Sequence, residues 1–175
     1  MKSQTTNGSA HLWAVGYDDV DRADQVRKVI VSLADPRHEL QLLDIAILVR
    51  TREGSLQING RPLPTGNRAA RYGTLAFLAG FALAVPLVTD EAVSRLFDST
   101  VPELSQAVGI DESFQKEIGS MMRPGSSALL VLDIAEDVNA LLRSLRGLGG
   151  TILRTDVDLE RANLIQATLA ERAVA

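Results

Sequence analysis

The sequence predicts an α+β protein with a ferredoxin-like, split βαβ core, in which four strands form an antiparallel sheet. The first observation is element order, because outside residues 55–122 the apolar patterns alternate as β-α-β-β-α-β. The second is an apolar, mostly helical insertion at about 55–122, between the second and third core strands. The third is a helical pattern from 159 to the C-terminus, so that residues 11–158 form the domain and 159–175 a C-terminal helix.

The first half of the core is marked by two apolar runs with a helix between them. HLWAVGY (11–17) is β-prone and ends in two aspartates, which predicts the first strand. Acids from Asp18 to Asp24 favour a helix start there, and Asp35-Pro36 ends the helix. LQLLDIAILVRT (40–51) predicts a long second strand, which a turn at 52–54 and SLQING (55–60) extend into a hairpin.

The insertion continues through a breaker-rich loop, GRPLPTG (60–66), into the uncharged stretch from Gly73 to Val88. Thr89 can cap a short following helix, and another helical turn starts at Val101-Pro102 and closes at Gly109. Asp111 can cap the last helix of the insertion. Its apolar positions are Phe114, Ile118, Met121 and Met122.

The second half of the core repeats the strand, helix, strand order. RPGSS (123–127) predicts a tight turn into the third strand, SALLVLDIA (127–135). Gly149-Gly150 terminates a helix with apolar positions at Val138, Leu141, Leu142 and Leu145. TILRTDVD (151–158) predicts the fourth strand. Since such a sheet carries helices on one face, a second subunit, the insertion or the C-terminal helix must cover the other.

Composition excludes several classes of protein. The 175-residue chain has a net charge of −4, which argues against a nucleic-acid binder with a generally basic surface. The absence of cysteine removes disulfides, thiolate metal sites and cysteine nucleophiles. Residues 1–10 are polar without an apolar signal region and are expected to form a flexible tail. The expected location is therefore the cytoplasm, with membrane association as an alternative.

The uncharged stretch allows three interpretations: burial in the protein or its oligomer, peripheral membrane contact, or a membrane span. Tyr72 to Thr89 contains 18 residues without a charge. Pro86 limits a helix within it, so the uncharged helical part would be about 21 Å long against the roughly 30 Å of a bilayer core. The stretch is therefore short for a span.

Small residues in this region recur at spacings of four, three, four and four. Such a glycine-zipper-like stripe lets helices approach closely, in membranes and in soluble assemblies. It predicts a helix-packing or assembly surface. The stripe consists of Ala69, Gly73, Ala76, Gly80 and Ala84.

Four phrases of the sequence resemble a known bacterial family. They are VGYDD (15–19), LLDIAILVRTREGSL (42–56), GIDESFQKEIGSMMRPGSSALLVLDI (109–134) and GGTILRTDVD (149–158). They resemble the domain-of-unknown-function family number 1269, whose members are often labelled predicted membrane proteins. The resemblance implies a ferredoxin-like core interrupted by a Gly/Ala-rich insertion, and it implies no enzymatic activity. The second arm of the insertion, at 89–109, carries five charged residues, which disfavours a two-pass membrane hairpin.

Basic residues near the root of the insertion predict contact with a small anion or with anionic lipid. The expected topology places His11 with them, whereas pairing with Glu53, Asp156 and Asp158 or simple solvation are the alternatives. The candidate arginines are Arg50, Arg52, Arg68, Arg71, Arg123 and Arg154.

No motif predicts catalysis, a cofactor or a metal. The acidic run from Asp18 to Asp24 fits helix capping better than an ion site, because EF-hand spacing is missing. His11 and His38 lack zinc or triad spacing. RPGSSAL (123–129) lacks the Gly-Lys of a phosphate-binding loop and fits a simple turn.

The sequence therefore predicts a non-catalytic protein that self-associates, with the apolar segment at about 68–88 as its oligomer-packing or membrane-contact surface. The expected partner is a second copy, with membrane lipid as an alternative and nucleic acid excluded. The second hypothesis is a binding or sensing module that holds a small anion or small molecule at the basic rim.

Overall fold

The computed structural model describes residues 9–33, 42–63, 72–85, 100–134, 143 and 145–174. Three predictions lie largely or wholly outside these ranges. They concern the N-terminal tail, the helix that Thr89 would cap, and most of the helix predicted from Val138 to Leu145.

Six strands and five helices are described. The strands are β1 (Ser9–Tyr17), β2 (Leu42–Arg50), β3 (Leu56–Ile58), β4 (Arg61–Pro62), β5 (Ser126–Asp133) and β6 (Thr151–Asp158). The helices are α1 (Arg22–Leu33), α2 (Thr74–Ala82), α3 (Val101–Ala107), α4 (Glu112–Met121) and α5 (Leu159–Val174).

The strands form one antiparallel sheet in the order β4-β3-β2-β5-β1-β6. The predicted α+β class and the four long core strands are confirmed, and β3 forms the predicted hairpin extension of β2. The prediction of a loop at residues 60–66 was wrong for Arg61–Pro62, which pair with β3 as β4. Proline is tolerated there because an edge strand does not need every N–H for the ladder.

Side-chain caps define the helix starts that the sequence predicted. The carboxylate of Asp111 accepts a hydrogen bond of 2.7 Å from the Phe114 N–H at the start of α4. Glu103 in the first turn of α3 accepts a bond of 2.9 Å from the Thr100 N–H. Asp19 likewise accepts from the Asp21 N–H just before α1.

Helices cover both faces of the sheet. On one face, Trp13, Val15 and Leu129 pack against α1 and against Leu145, which precedes β6. On the other face, apolar residues of β1, β2, β5 and β6 pack against α2, α3, α4 and α5. The insertion and the C-terminal helix of the same chain therefore cover the face for which the sequence left three alternatives.

Helix α2 forms part of the interior of this second layer. Every residue from Leu75 to Ala82 is buried, and the Phe77 and Phe81 rings meet edge to face with centroids 4.8 Å apart. Its uncharged surface thus contacts the sheet, α4 and α5. A helix that is apolar all round is stable in such a position.

The predicted stripe of small residues does not run along one continuous helix. Gly73 has φ +94° and precedes the first residue of α2, while Ala84 lies beyond its end with φ +52°. The Val85 N–H bonds to the Gly80 carbonyl, which closes the helix with a left-handed residue. Ala76 and Gly80 are buried in the helix itself, and Ala69 lies outside the described residues.

Within the described ranges, each helix is too short or too polar to cross a membrane.

Candidate functional site

Three of the predicted basic residues meet at the root of the insertion. The Arg50 carbonyl at the end of β2 accepts a bond of 2.9 Å from the Gly125 N–H. The Arg50 guanidinium donates to the Met122 carbonyl at 2.9 Å. Arg52 borders Gly125, and Arg123 precedes it in the turn before β5. Arg50 thus ties the two ends of the insertion together.

The expectation that His11 and Arg154 join this group was wrong. β1 runs antiparallel to both β5 and β6, so the start of β1 lies beside the ends of those strands. His11 is consequently paired with Asp133 and Asp156, whereas Arg50 is paired with Ser126 at the opposite end of β5. Arg68 and Arg71 lie outside the described residues.

His11 and Arg154 instead form a compact charged cluster. Arg154 Nη2 lies 3.2 Å from Asp156 Oδ1 and 3.0 Å from His11 Nδ1, and His11 Nδ1 lies 2.8 Å from Asp156 Oδ1. The Arg154 guanidinium also lies 5.3 Å from the centre of the Trp13 ring, within range of a cation–π interaction. The hydrogen bond with His11 lowers the pKa of Asp156, and the hydrogen bond with Arg154 lowers it further. The charge of Arg154 is therefore largely matched within the chain.

A cleft of about 460 Å³ opens beside the root of the insertion, between the end of β1 and the start of β6. We call it the β1–β6 cleft. Two glycines, Gly16 and Gly150, contribute backbone to its wall. Its side-chain lining is Tyr17, Asp18, Ser120, Met121, Arg123 and Thr151.

Both glycines lie in close contact with neighbouring side chains. A Cβ on Gly16 would lie 2.5 Å from the Met121 methyl carbon. Gly150 has φ +96°, and a Cβ there would lie 2.7 Å from the Tyr17 ring carbon Cε1 and 2.9 Å from Val15 Cγ1. Gly150 therefore opposes a side chain strongly, whereas one at Gly16 would require the Met121 side chain to move. In the present structure both glycines leave main chain exposed in the wall of the cleft.

Tyr17 is the unusual residue of this cleft. It is 7% exposed, and its hydroxyl is buried without a hydrogen-bond partner among the described residues. Burial raises the pKa of Tyr17, while the nearby Arg22 charge partly opposes this effect. The hydroxyl therefore stays protonated at neutral pH and remains a donor. No sequence signal marks it, since a tyrosine ending an apolar strand looks like a core residue.

Arg123 lines the same cleft as Tyr17. Its side chain is 76% exposed, and its guanidinium lies 3.9 Å from the 95% exposed carboxylate of Asp18. Such a long contact between exposed groups holds both side chains weakly.

The other candidate groups are engaged in local structure. Asp24 contacts Lys28 at 2.7 Å and Arg27 at 3.0 Å, and these two cations lower its pKa. The Ser126 and Ser127 hydroxyls of the RPGSS turn donate to the carbonyls of Arg123 and Asp19. The part of the chain that the structure describes contains no group of three or more potential metal ligands.

The two edges of the sheet differ. At one edge, β4 has two residues and contains Pro62, a combination that discourages pairing with another strand. At the other edge, β6 has eight residues and contains no proline. The Asp158 N–H donates to the Val108 carbonyl, and the Gly109 backbone lies against the Asp156 carbonyl. In the described structure these contacts cover the outer side of β6 over its last three residues.

These features define an α+β protein with one antiparallel sheet between two helical layers and a cleft at one end of that sheet. The chain belongs to the family described as "Protein of unknown function (DUF1269)", whose profile matches residues 69–170. The resemblance predicted from the sequence is thereby confirmed. Comparisons with curated proteins and with solved structures give no match.

Proposed function

We propose that this protein is a non-catalytic, self-associating interaction protein, in which two copies join edge to edge through β6. The observation that most directly supports this proposal is the long β6 edge. Its first five residues have no strand on their outer side within the described ranges. An edge strand with free N–H and C=O groups is a template for pairing with another chain. Edge pairing of this kind would extend the six-stranded sheet through a twofold axis.

The proposed assembly surface is β6 and not the apolar stretch that the sequence predicted. The Gly/Ala-rich helix α2 is enclosed by its own chain, so a second copy could reach it only after the core opens. Among the described residues, none pairs with the outer side of β6 over Thr151–Thr155, and Ile152 is 39% exposed there.

The register of the proposed pairing follows from the backbone geometry. The Asp158 N–H points away from β1, toward the Val108 carbonyl. Since N–H directions alternate along an antiparallel strand, the N–H groups of Ile152 and Arg154 also point outward. The Val108–Gly109 contact excludes a partner strand beyond residue 155. Two β6 strands centred on Leu153 would then pair Ile152 of each copy with Arg154 of the other, and no like charges would face each other.

We also infer a ferredoxin-like topology for the four long strands. Their order of β2-β5-β1-β6, with every neighbour antiparallel, supports a split βαβ arrangement. Here β3 and β4 extend the sheet beyond β2, and the insertion adds a second helical layer.

Sedimentation analysis of wild-type protein and an Ile152→Pro variant tests the proposed dimer. An interface of about five residues per strand is small, so we expect a dissociation constant of the order of micromolar. Proline at 152 removes an outward N–H and leaves the ladder with β1 intact, so this variant should be a folded monomer. Ile152→Thr keeps the N–H and should remain dimeric.

Two results would contradict the proposal. The first is a wild-type monomer at about 100 µM, well above a micromolar dissociation constant. The second is an Ile152→Pro variant that retains the wild-type circular dichroism spectrum and the wild-type association constant.

A further inference from the structure

We propose that the β1–β6 cleft binds a small soluble molecule through an oxyanion, either a carboxylate or a phosphate group, held by the Tyr17 hydroxyl and the Arg123 guanidinium. This site shares Thr151 with the β6 pairing surface but does not depend on self-association. It also differs from the basic rim predicted from the sequence, because among the rim arginines that the structure describes only Arg123 lines the cleft.

The Tyr17 hydroxyl is a buried hydrogen-bond donor beside the cleft. A buried donor without an acceptor is uncommon in folded proteins, since it loses its bond to water without gaining another. Tyr17 lines the cleft, and its ring carbon Cε1, adjacent to the carbon that bears the hydroxyl, borders the bare backbone of Gly150. The hydroxyl oxygen is itself buried, so a ligand oxygen would supply the missing acceptor once the Tyr17 side chain shifts toward the cleft.

The charges around the cleft favour an anion as that acceptor. Arg123 is held by one long contact to Asp18 and can turn toward a ligand. Arg22 adds a second positive charge near Tyr17, since its field acts on the tyrosine, and its side chain is fixed by a bond of 3.1 Å to the Leu148 carbonyl. A guanidinium and a neutral hydroxyl are both donors suited to carboxylate or phosphate oxygens.

The size and lining of the cleft indicate an organic body attached to the oxyanion. A volume of about 460 Å³ lies within the range of small-molecule sites. Met121 supplies an apolar wall beside Gly16, which suits a short hydrocarbon or ring. Inorganic phosphate and acetate are the minimal probes of the oxyanion end.

Backbone amide NMR during titration with inorganic phosphate and, separately, acetate tests the site. We expect saturable shifts at Gly16, Gly150 and Thr151. Tyr17→Phe removes the hydroxyl and keeps the ring, and Arg123→Gln removes the charge. Each should weaken binding about tenfold, the effect expected for losing one hydrogen bond to a charged group.

Arg52→Gln is the matched control, because Arg52 lies at the same root of the insertion but does not line the cleft. It should bind both probes with wild-type affinity. Equal loss in Arg52→Gln and Arg123→Gln would show a diffuse charge effect and overturn the proposal. Unchanged affinity in Tyr17→Phe would also overturn the proposal. The absence of saturable shifts with both phosphate and acetate would overturn it too.

Vesicles distinguish a soluble ligand from a lipid headgroup. Cosedimentation is measured with vesicles of equal parts phosphatidylglycerol and phosphatidylcholine, and with phosphatidylcholine alone. We expect no specific retention by the anionic vesicles while the soluble probes bind. Retention that is insensitive to Tyr17→Phe, without binding of the soluble probes, would contradict the assignment.

Discussion

The backbone of Gly109 lies directly against the carbonyl of Asp156. Gly109 has φ +93°, and a Cβ there would overlap this carbonyl and lie 3.3 Å from the Val157 Cα. Two flanking bonds fix the contact: Asp158 N–H to the Val108 carbonyl at 3.0 Å, and the Thr155 hydroxyl to the Gly109 carbonyl at 2.8 Å. The turn between α3 and α4 is therefore attached to the edge strand of the sheet.

Gly109→Ala should lower the free energy of unfolding by at least about 2 kcal/mol, because both the backbone conformation and the neighbouring carbonyl oppose a side chain. Urea unfolding measures this change. Gly119→Ala, the same substitution within α4 at a site with open space, should be neutral or stabilising by about 0.5–1 kcal/mol. Similar losses in both variants would contradict the contact.

The strands of the core were predictable because their apolar runs are long and bounded by turn residues. The bounds predicted for the fourth strand, 151–158, are those observed for β6. The Gly109–Asp156 contact was not predictable, since it joins residues 47 positions apart through backbone alone. A glycine at a helix end looks the same whether it caps the helix or also packs against a strand.

Phe77→Ala should lower the free energy of unfolding by about 3–5 kcal/mol, because Phe77 is fully buried between the sheet and the other helices of its layer. Leu164→Ala is the control, since Leu164 is 56% exposed on α5, and should change stability by less than about 0.5 kcal/mol. Chemical unfolding at two protein concentrations measures both. A loss for Phe77→Ala that appears only at the higher concentration would place this residue in an intermolecular contact.

The burial of α2 was among the alternatives that the sequence allowed, but the choice between them required tertiary structure. An uncharged stretch has the same pattern whether its cover is lipid, a second subunit or the same chain. The small-residue stripe was wrong as a continuous helical surface, because Gly73 and Ala84 adopt positive φ values at the two ends of α2. The rim was wrong for His11 because β1 and β2 are both antiparallel to β5, so the start of β1 lies at the opposite end of the sheet from Arg50. It was wrong for Arg154 because this residue lies in the middle of β6, paired with Trp13.

Tyr17→Phe should remove part of the alkaline loss of stability. Burial raises the pKa of Tyr17 above its ordinary value of 10.0, so the unfolded chain releases this proton first as pH rises. The contribution of Tyr17 is fully present below pH 10 and is lost as pH rises through its folded pKa. The free energy of unfolding, measured from pH 8 to 11, should therefore fall less steeply in Tyr17→Phe.

Tyr72→Phe is the matched control for this experiment, because Tyr72 is 46% exposed. It should retain the wild-type alkaline slope. Identical slopes for wild type and Tyr17→Phe would show that the Tyr17 hydroxyl is not buried in solution.

Asp156→Asn should reduce the loss of unfolding free energy that occurs as the pH falls into the acid range. The hydrogen bond with His11 and, to a smaller extent, that with Arg154 lower the pKa of Asp156 below its ordinary value of 3.8. The stabilisation is present above that value and lost as pH falls through the folded pKa, so the affected window lies below about pH 4. Because the Asp156 side chain is 68% exposed, the difference should stay below about 1 kcal/mol.

Urea unfolding between pH 2.5 and 6 measures this window. Asp18→Asn serves as the control, since Asp18 is 95% exposed and makes one contact of 3.9 Å to Arg123. An equal reduction of this loss in both variants would show that the His11–Asp156–Arg154 cluster is not specifically formed.

The central claim is that the uncharged helix α2 belongs to the core of a single chain. Native-state amide hydrogen exchange at residues 75–82, in protein free of detergent and lipid, tests it most directly. We expect protection comparable to that of the fully buried strand β5, and equal protection at protein concentrations that differ about tenfold. Rapid exchange in dilute protein, with protection gained only at high concentration or on addition of vesicles, would contradict it.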